Sequence, residues 1–123
     1  MPQASKKARA RHPANYWTTE EVVLAVFLRS RRVKDRAILA ILNGRFAPKV
    51  RQAGGLRSKM QAVRASESES GRIDLTHDKN FTRIRDVDRW IASEIEDVHA
   101  RSGLLTFTEH ELEVMGLVSQ HRN

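Results

Sequence analysis

Apolar residues recur at helical spacing in three short stretches of the first half of the chain. Within each stretch they lie three or four residues apart, or side by side on one face, as in an amphipathic α-helix. The pattern predicts three short helices around one small core. The apolar positions are Leu24, Phe27 and Leu28, then Ile38, Leu39, Ile41 and Leu42, then Leu56, Met60 and Val63.

Local signals set the ends of these helices. Thr18 and Glu21 have the spacing of a capping box, in which each side chain bonds the backbone N–H of the other residue. The first helix should therefore start at Thr18. The second is expected over 35–42, because an Asn-Gly pair follows it. The third is expected over about 52–65, with two glycines in its first turn.

Two aromatic residues outside the stripes are expected to complete this core. Trp17 precedes the cap and should fold back onto the core, because a large aromatic buries much area in a small unit. The alternative role for Trp17 is a platform on which a base stacks. Phe46 follows the second helix and should close the core from below.

The second half predicts a helical pair. A stripe of Ile84, Val87, Ile91, Ile95 and Val98 predicts a long helix over 83–100, with Trp90 beside the stripe. A glycine at 103 should cap its end, and a second capping box at 108–111 should open a last helix. This hairpin must bury its stripes by packing on the first unit, by forming a homodimer, or by docking a partner helix. The candidate interface residues are Ile84, Val87, Trp90, Ile91, Ile95, Leu112 and Met115.

These elements predict an all-α protein with four regions. Residues 1–15 are a basic arm with little to bury, and 16–65 are the three-helix unit. Residues 66–80 are expected to be linker and loop, because 66–71 contain only serine, glutamate and glycine. Residues 81–121 are the helical hairpin. The linker serines could accept phosphate, or the segment could be a plain hinge.

Charge separates the two halves. The chain carries a net charge of +7, with +12 on residues 1–65 and −5 on residues 66–123. A basic first half favours a polyanionic partner. In the arm, Lys6, Lys7, Arg9 and Arg11 could contact phosphates or signal nuclear import, or could simply keep the terminus soluble.

The third helix has the chemistry of a DNA-reading element. Arg57, Lys59, Gln61 and Arg64 lie away from its apolar stripe. Arginine and lysine pair with guanine or phosphates, and glutamine pairs with adenine. The alternative is an ordinary solvated face of an amphipathic helix.

The first half resembles the Myb/SANT-like family of homeodomain-like tri-helical domains, and most of all the small single-repeat Myb-like proteins of filamentous fungi. The resemblance covers about residues 16–65 and depends on the order and spacing of three motifs. These are Trp17-Thr18-x-Glu20-Glu21, Ile38-x-x-Ile41-Leu42-Asn43-x-Arg45-Phe46 and Leu56-Arg57-Ser58-Lys59-Met60.

The resemblance implies a helix-turn-helix whose third helix lies in the major groove of double-stranded DNA. Arg57, Ser58, Lys59 and Gln61 would then contact bases or phosphates, with Arg51 at the start of the helix. A nuclear regulator of transcription or chromatin is the function it implies. The alternative is a chromatin-complex adaptor, since some SANT relatives bind histone tails. RNA binding is a weaker possibility, because exposed aromatic platforms are missing from the sequence.

The sequence lacks the residues that several other classes of function require. The chain has no cysteine, which excludes disulfides and thiolate metal sites. Its five histidines are scattered, and it contains no glycine-rich phosphate loop. We therefore expect no enzyme activity, no cofactor and no metal. No apolar run is long enough to span a bilayer and no secretory signal opens the chain, so we expect a soluble intracellular protein.

Overall fold

The computed structural model describes residues 16–70 and 81–116, and all the regular structure in these two ranges is α-helical. The predicted all-α class is confirmed for this part of the chain. The helices are α1 (Thr19–Ser30), α2 (Asp35–Arg45), α3 (Ala53–Ser70), α4 (Ile84–Glu94), α5 (Val98–Leu104) and α6 (Glu109–Met115).

Helix α1 lies at the centre of the core. It packs against α2 on one side and against α4 on another, while α2 also contacts α3 and α6. Val23, Leu24 and Ala25 are fully buried, so α1 is apolar around most of its circumference, as expected of a central helix. Residues of α1 through α4 form one continuous core, and Trp17 and Phe46 pack against its edge as predicted.

The first capping box is confirmed. The Glu21 N–H donates to Thr18 Oγ1 at 3.2 Å, and the Thr18 N–H donates to Glu21 Oε1 at 3.0 Å. Helix α1 therefore begins where the sequence predicts, with Thr18 as its N-cap. The second box is also confirmed, with Thr108 capping α6 through Glu111.

Helices α2 and α3 both extend beyond their predicted ends. Helix α2 continues through Asn43 and Gly44 to Arg45. Helix α3 continues to Ser70, so 66–70 are helical and the prediction of a linker there is wrong. Once a helix is nucleated, each further residue adds a backbone hydrogen bond, so a polar composition does not by itself end it.

The single helix predicted over 83–100 is wrong, because α4 ends at Glu94 and α5 begins at Val98. Ile95 adopts an extended backbone, and Asp97 then accepts hydrogen bonds from the N–H groups of His99 at 2.9 Å and Ala100 at 3.3 Å. This local cap overrides the apolar spacing that runs across the break.

The predicted C-cap at Gly103 is also wrong. Gly103 lies inside α5, which ends at Leu104. Among the described glycines, Gly116 ends a helix, since it follows α6 with the left-handed backbone typical of a C-terminal glycine.

The C-terminal helices pack within the same molecule. Val87, Trp90 and Ile91 are buried in the common core, so assigning them to a partner or dimer interface is wrong. Among the other predicted interface residues, Ile95, Leu112 and Met115 are half-buried. Ile84 is 39% exposed, and Val98 of the predicted stripe is 61% exposed.

Long-range ion pairs join the two halves of the chain. Arg31 pairs with Asp88 at 3.0 Å, and Arg45 pairs with Glu111 at 2.7 Å. Arg45 also donates to the carbonyl oxygens of Leu104 and Thr106, each at 2.8 Å. The predicted basic arm, the loop 71–80 and the last residues of the predicted C-terminal helix lie outside the described residues.

Candidate nucleic-acid interface

The buried side of α3 is the predicted one. Leu56, Met60 and Val63 are all buried, at 0%, 1% and 8% exposure. Since an α-helix turns 100° per residue, the direction opposite this stripe is set by the spacing. That outer face consists of small or uncharged residues, all of them exposed: Gly54, Ser58, Gln61, Ala62 and Ala65.

Cations flank the outer face of α3. Arg57 and Arg64 lie along one edge and Lys59 along the other. Arg57 is exposed, whereas Lys59 and Arg64 are half-buried. No carboxylate occurs between residues 51 and 66. The arrangement leaves room for close approach along the middle of α3 and offers positive charge on both sides.

The glycines in the first turn of α3 do not fill tight spaces. A Cβ built on Gly54 or Gly55 would meet no atom within 4 Å. Glycine there costs helix stability of about 1 kcal/mol relative to alanine. Glycine at these two positions leaves the backbone at the start of α3 exposed, with no side chain to cover it.

A shallow groove runs beside α3. It has a volume of about 530 Å³ and is lined on the helix side by Gly55, Ser58, Lys59 and Ala62. Trp17 forms the other wall together with residues 50–52. The groove extends the exposed surface of α3 toward the start of α1.

The last turn of α3 has the opposite charge. Glu67 and Glu69 follow the basic segment, and the only core residues of α3 lie at or before Val63. By its spacing Glu69 lies on the same outer face as Ser58 and Ala62. The cations of α3 are therefore confined to residues 57–64, and its last turn is negative.

A buried carboxylate fixes the segment that leads into α3. Glu21 is fully buried and accepts from Arg51 Nε at 3.0 Å and from Lys49 Nζ at 3.1 Å. Arg51 and Lys49 both also donate to the carbonyl oxygen of Tyr16. The Arg51 guanidinium lies 4.4 Å from the centre of the Trp17 ring. The start of α1 and the start of α3 are thereby joined through side chains.

Asn43 makes a second attachment. Its Oδ1 accepts from the Arg51 N–H at 2.7 Å, and its Nδ2 donates to the Arg51 carbonyl at 3.1 Å. One amide side chain at the end of α2 therefore satisfies both backbone groups of Arg51. This pair fixes where α3 begins relative to α2.

The pKa of Glu21 is lowered from its ordinary value. Burial by itself raises this pKa, but hydrogen bonds from Arg51, the Thr18 backbone and Lys49 together outweigh burial. The carboxylate is therefore ionised at neutral pH, and it holds the two cations in place.

The predicted site residues of α3 do lie together. Ser58 and Gln61 share the exposed outer face, with Arg57, Lys59 and Arg64 at its edges. Arg51 is different, because it is 8% exposed and its guanidinium is held by Glu21. We therefore correct its assignment from DNA contact to structural anchor. Lys6, Lys7, Arg9 and Arg11 lie outside the described residues.

The sequence alone does not identify Lys49 and Asn43 as anchors of the segment before α3. Glu21 was found only as half of a capping box, a local signal that gives no hint of a partner 30 residues away. Nothing in the spacing of Asn43 points to the Arg51 backbone. Trp17 lies at the core edge with its face covered by Arg51, which disfavours the base-stacking alternative.

Comparison of the chain with family models, with characterised proteins and with solved structures gave no match. Among residues 16–70 and 81–116, no group of three histidine, aspartate or glutamate side chains could hold a metal ion. None of the described helices is long and apolar enough to cross a membrane.

Proposed function

We propose that this protein binds double-stranded DNA through the outer face of α3, as a Myb-like helix-turn-helix protein of the nucleus acting in transcription or chromatin. One observation carries the proposal. The outer face of α3 is small and uncharged along its middle, cationic along both edges, and free of carboxylates from residue 51 to 66.

The dimensions favour the major groove. A helix with its side chains is about 10–12 Å wide, and the major groove of B-DNA is about 12 Å wide. Ser58 and Ala62 would allow the α3 backbone to come close to the base edges. Gln61, in the same face, is the residue best suited to read a base, since its amide can pair with adenine. Arg57, Lys59 and Arg64 would contact the phosphates on either side.

The fold supports a fixed presentation of this helix. Asn43 holds the start of α3 to α2, and Arg51 holds it to Glu21 of α1. A recognition helix attached at its first turn loses less freedom on binding than a loosely held one. The assignment of the three-helix unit to the Myb-like family is also part of this proposal.

A direct test is the salt dependence of binding to a random-sequence duplex, followed by fluorescence anisotropy. We expect a Kd below about 0.1 mM near physiological salt, and a linear fall of log K with log salt concentration, as for phosphate-contacting proteins. Weaker binding, or no dependence on salt, would contradict the proposal and favour a protein partner.

A protein-interaction role is the second candidate, and one feature favours it. A groove of about 270 Å³ lies between α1, α3 and α4, with Trp17 and Trp90 in its walls and Lys59 and Glu94 at its rim. Trp90 Nε1 is shielded from solvent and has no hydrogen-bond acceptor. A chromatin adaptor could use this surface for a peptide, without any contact to DNA.

A further inference from the structure

A second cationic site lies at the turn between α1 and α2. A cavity of about 390 Å³ opens there, at residues that belong neither to α3 nor to the groove beside it. Its lining residues are Arg29, Arg32, Val33, Lys34, Asp35 and Thr82.

The charge of this cavity is positive. Three cations face one carboxylate, and that carboxylate is already paired, since Arg29 Nη2 lies 2.8 Å from Asp35 Oδ1. Arg32 and Lys34 are exposed. The positive charge of these two residues is therefore directed to solvent at the mouth of the cavity.

Neither Arg29 Nε nor the first turn of α2 is satisfied by a side chain of the described residues. Arg29 Nε is shielded from solvent and has no hydrogen-bond acceptor. Lys34 is the N-cap of α2 and provides no side-chain hydrogen bond to the first turn. No side chain therefore caps the first turn of α2, where the Ala37 and Ile38 N–H groups donate to the Lys34 carbonyl oxygen. The positive end of the helix dipole adds to the field of the cations.

The turn that carries the cations is fixed. The Val33 N–H donates to the Leu28 carbonyl at 3.0 Å, and the Arg32 N–H donates to the Arg29 carbonyl at 3.0 Å. Arg32 adopts a left-handed backbone with φ of 67°. A residue with a side chain is disfavoured relative to glycine at such a position. The conformation of the turn therefore does not require an arginine at position 32.

We propose that this cavity binds a phosphate group, presented either as free orthophosphate or as a phosphodiester of nucleic acid. Arg32 and Lys34 would bind its oxygens from the solvent side, and the first N–H groups of α2 would donate from the other side. The proposal does not depend on DNA binding by α3, because the two surfaces share no residue.

The test compares three forms of the full chain: wild type, Arg32→Gly combined with Lys34→Gln, and Arg85→Ala combined with Arg89→Ala. Glycine suits the left-handed backbone at 32, and Lys34 is exposed, so the first variant keeps the fold. The second variant removes the same charge from exposed positions on α4. Each protein is titrated with inorganic phosphate and with a short duplex, at constant ionic strength, while backbone amides are followed by NMR.

With phosphate, we expect saturable shifts of the amides of residues 32–36 in the wild type and in the α4 variant. The Arg32/Lys34 variant should bind at least about tenfold more weakly, as for the loss of charged hydrogen bonds. Shifts in this region with the duplex but not with phosphate would assign the ligand as a phosphodiester and also support the site. No shift of residues 32–36 with either ligand would overturn the proposal, as would equal weakening in both variants.

The same data distinguish failure of this site from failure of DNA binding by α3. Duplex shifts confined to residues 54–64, together with no shift of residues 32–36 in the phosphate titration, would overturn the second site and leave the α3 interface intact. A gain-of-affinity variant adds a check that unfolding cannot imitate. Asp35→Asn removes the carboxylate from among the three cations and should tighten phosphate binding, whereas unchanged affinity would contradict the binding of an anion in this cavity.

Discussion

Glu21 is fully buried and still carries its charge, because donor groups of three residues surround it. Arg51, Lys49 and the Thr18 N–H all bond its carboxylate. Removing a buried carboxylate from such a site leaves the cations unpaired, which costs more than the pair contributes. The same residue caps α1 and anchors the segment before α3, so one side chain controls how the two helices meet.

We predict that Glu21→Gln lowers the free energy of unfolding at neutral pH by about 3–5 kcal/mol, the usual cost of breaking a buried ion pair. The matched control is Glu20→Gln, an exposed neighbour in the same turn, with an expected change below about 1 kcal/mol. Urea denaturation followed by circular dichroism measures both values. Equal effects of the two substitutions would show that the buried network contributes little.

The pH dependence of this difference has a defined sign. The pKa of Glu21 is lowered in the folded protein, so its stabilising contribution is present above the unfolded pKa of about 4.3 and is lost as pH falls through the folded value. The gap in stability between wild type and Glu21→Gln should therefore narrow under acid conditions. A gap that stays constant from pH 7 to pH 3 would contradict the assignment.

At the scale of elements, short-range patterns predicted starts of helices better than their ends. Thr18 and Thr108 cap the helices that the sequence assigned to them, because a capping box is made within four residues. The sequence predicts that α3 ends near residue 65, because serine and glutamate are typical of a linker, yet 66–70 continue the helix. The break between α4 and α5 depends on the Asp97 cap, which a regular apolar spacing conceals.

The change of charge along α3 leads to an element-scale prediction. If DNA contacts residues 54–64, Glu69 lies on the same face and repels the phosphates. Glu69→Gln should then tighten duplex binding by roughly two- to fivefold at low salt, with the gain reduced at high salt. Glu96→Gln, an exposed change between α4 and α5, is the control, with no effect expected on anisotropy titrations. Equal gains from both would indicate only a change of net charge.

At the scale of the whole molecule, the C-terminal helices complete the core of the first three. Helix α1 packs against α4, and the guanidinium of Arg45 in α2 is held by Glu111 and by two carbonyl oxygens near α6. Packing within the chain was one of three alternatives that the sequence left open. Apolar spacing shows that a stripe must be buried, but it carries no information about which surface covers it.

We predict that Trp90→Ala lowers the free energy of unfolding by about 3–5 kcal/mol, as large-to-small changes in a core do. Because Trp90 is in the common core, α1–α3 should unfold in the same transition. Ile84→Ala, at a 39% exposed position of the same helix, should cost under about 1 kcal/mol. Far-ultraviolet circular dichroism and tryptophan fluorescence should give coincident curves for the wild type, and two separate transitions would contradict a single core.

Positive charge is concentrated in the first half of the sequence. Such asymmetry orients a protein toward a polyanion before contact and raises the rate of association. It does not say which surface makes the contact. The central claim, that the outer face of α3 binds duplex DNA, therefore needs a comparison in which net charge is held constant.

The most direct test measures duplex affinity against salt for Arg57→Ala combined with Lys59→Ala, beside Arg85→Ala combined with Arg89→Ala. Each double substitution removes two positive charges, from α3 in the first variant and from α4 in the second. We expect the α3 variant to bind at least about tenfold more weakly, with a slope of log K against log salt reduced by about 1 to 2. The α4 variant should stay close to wild type. Equal affinities and slopes in the two variants would contradict the account, because α3 would then not be the DNA-binding face.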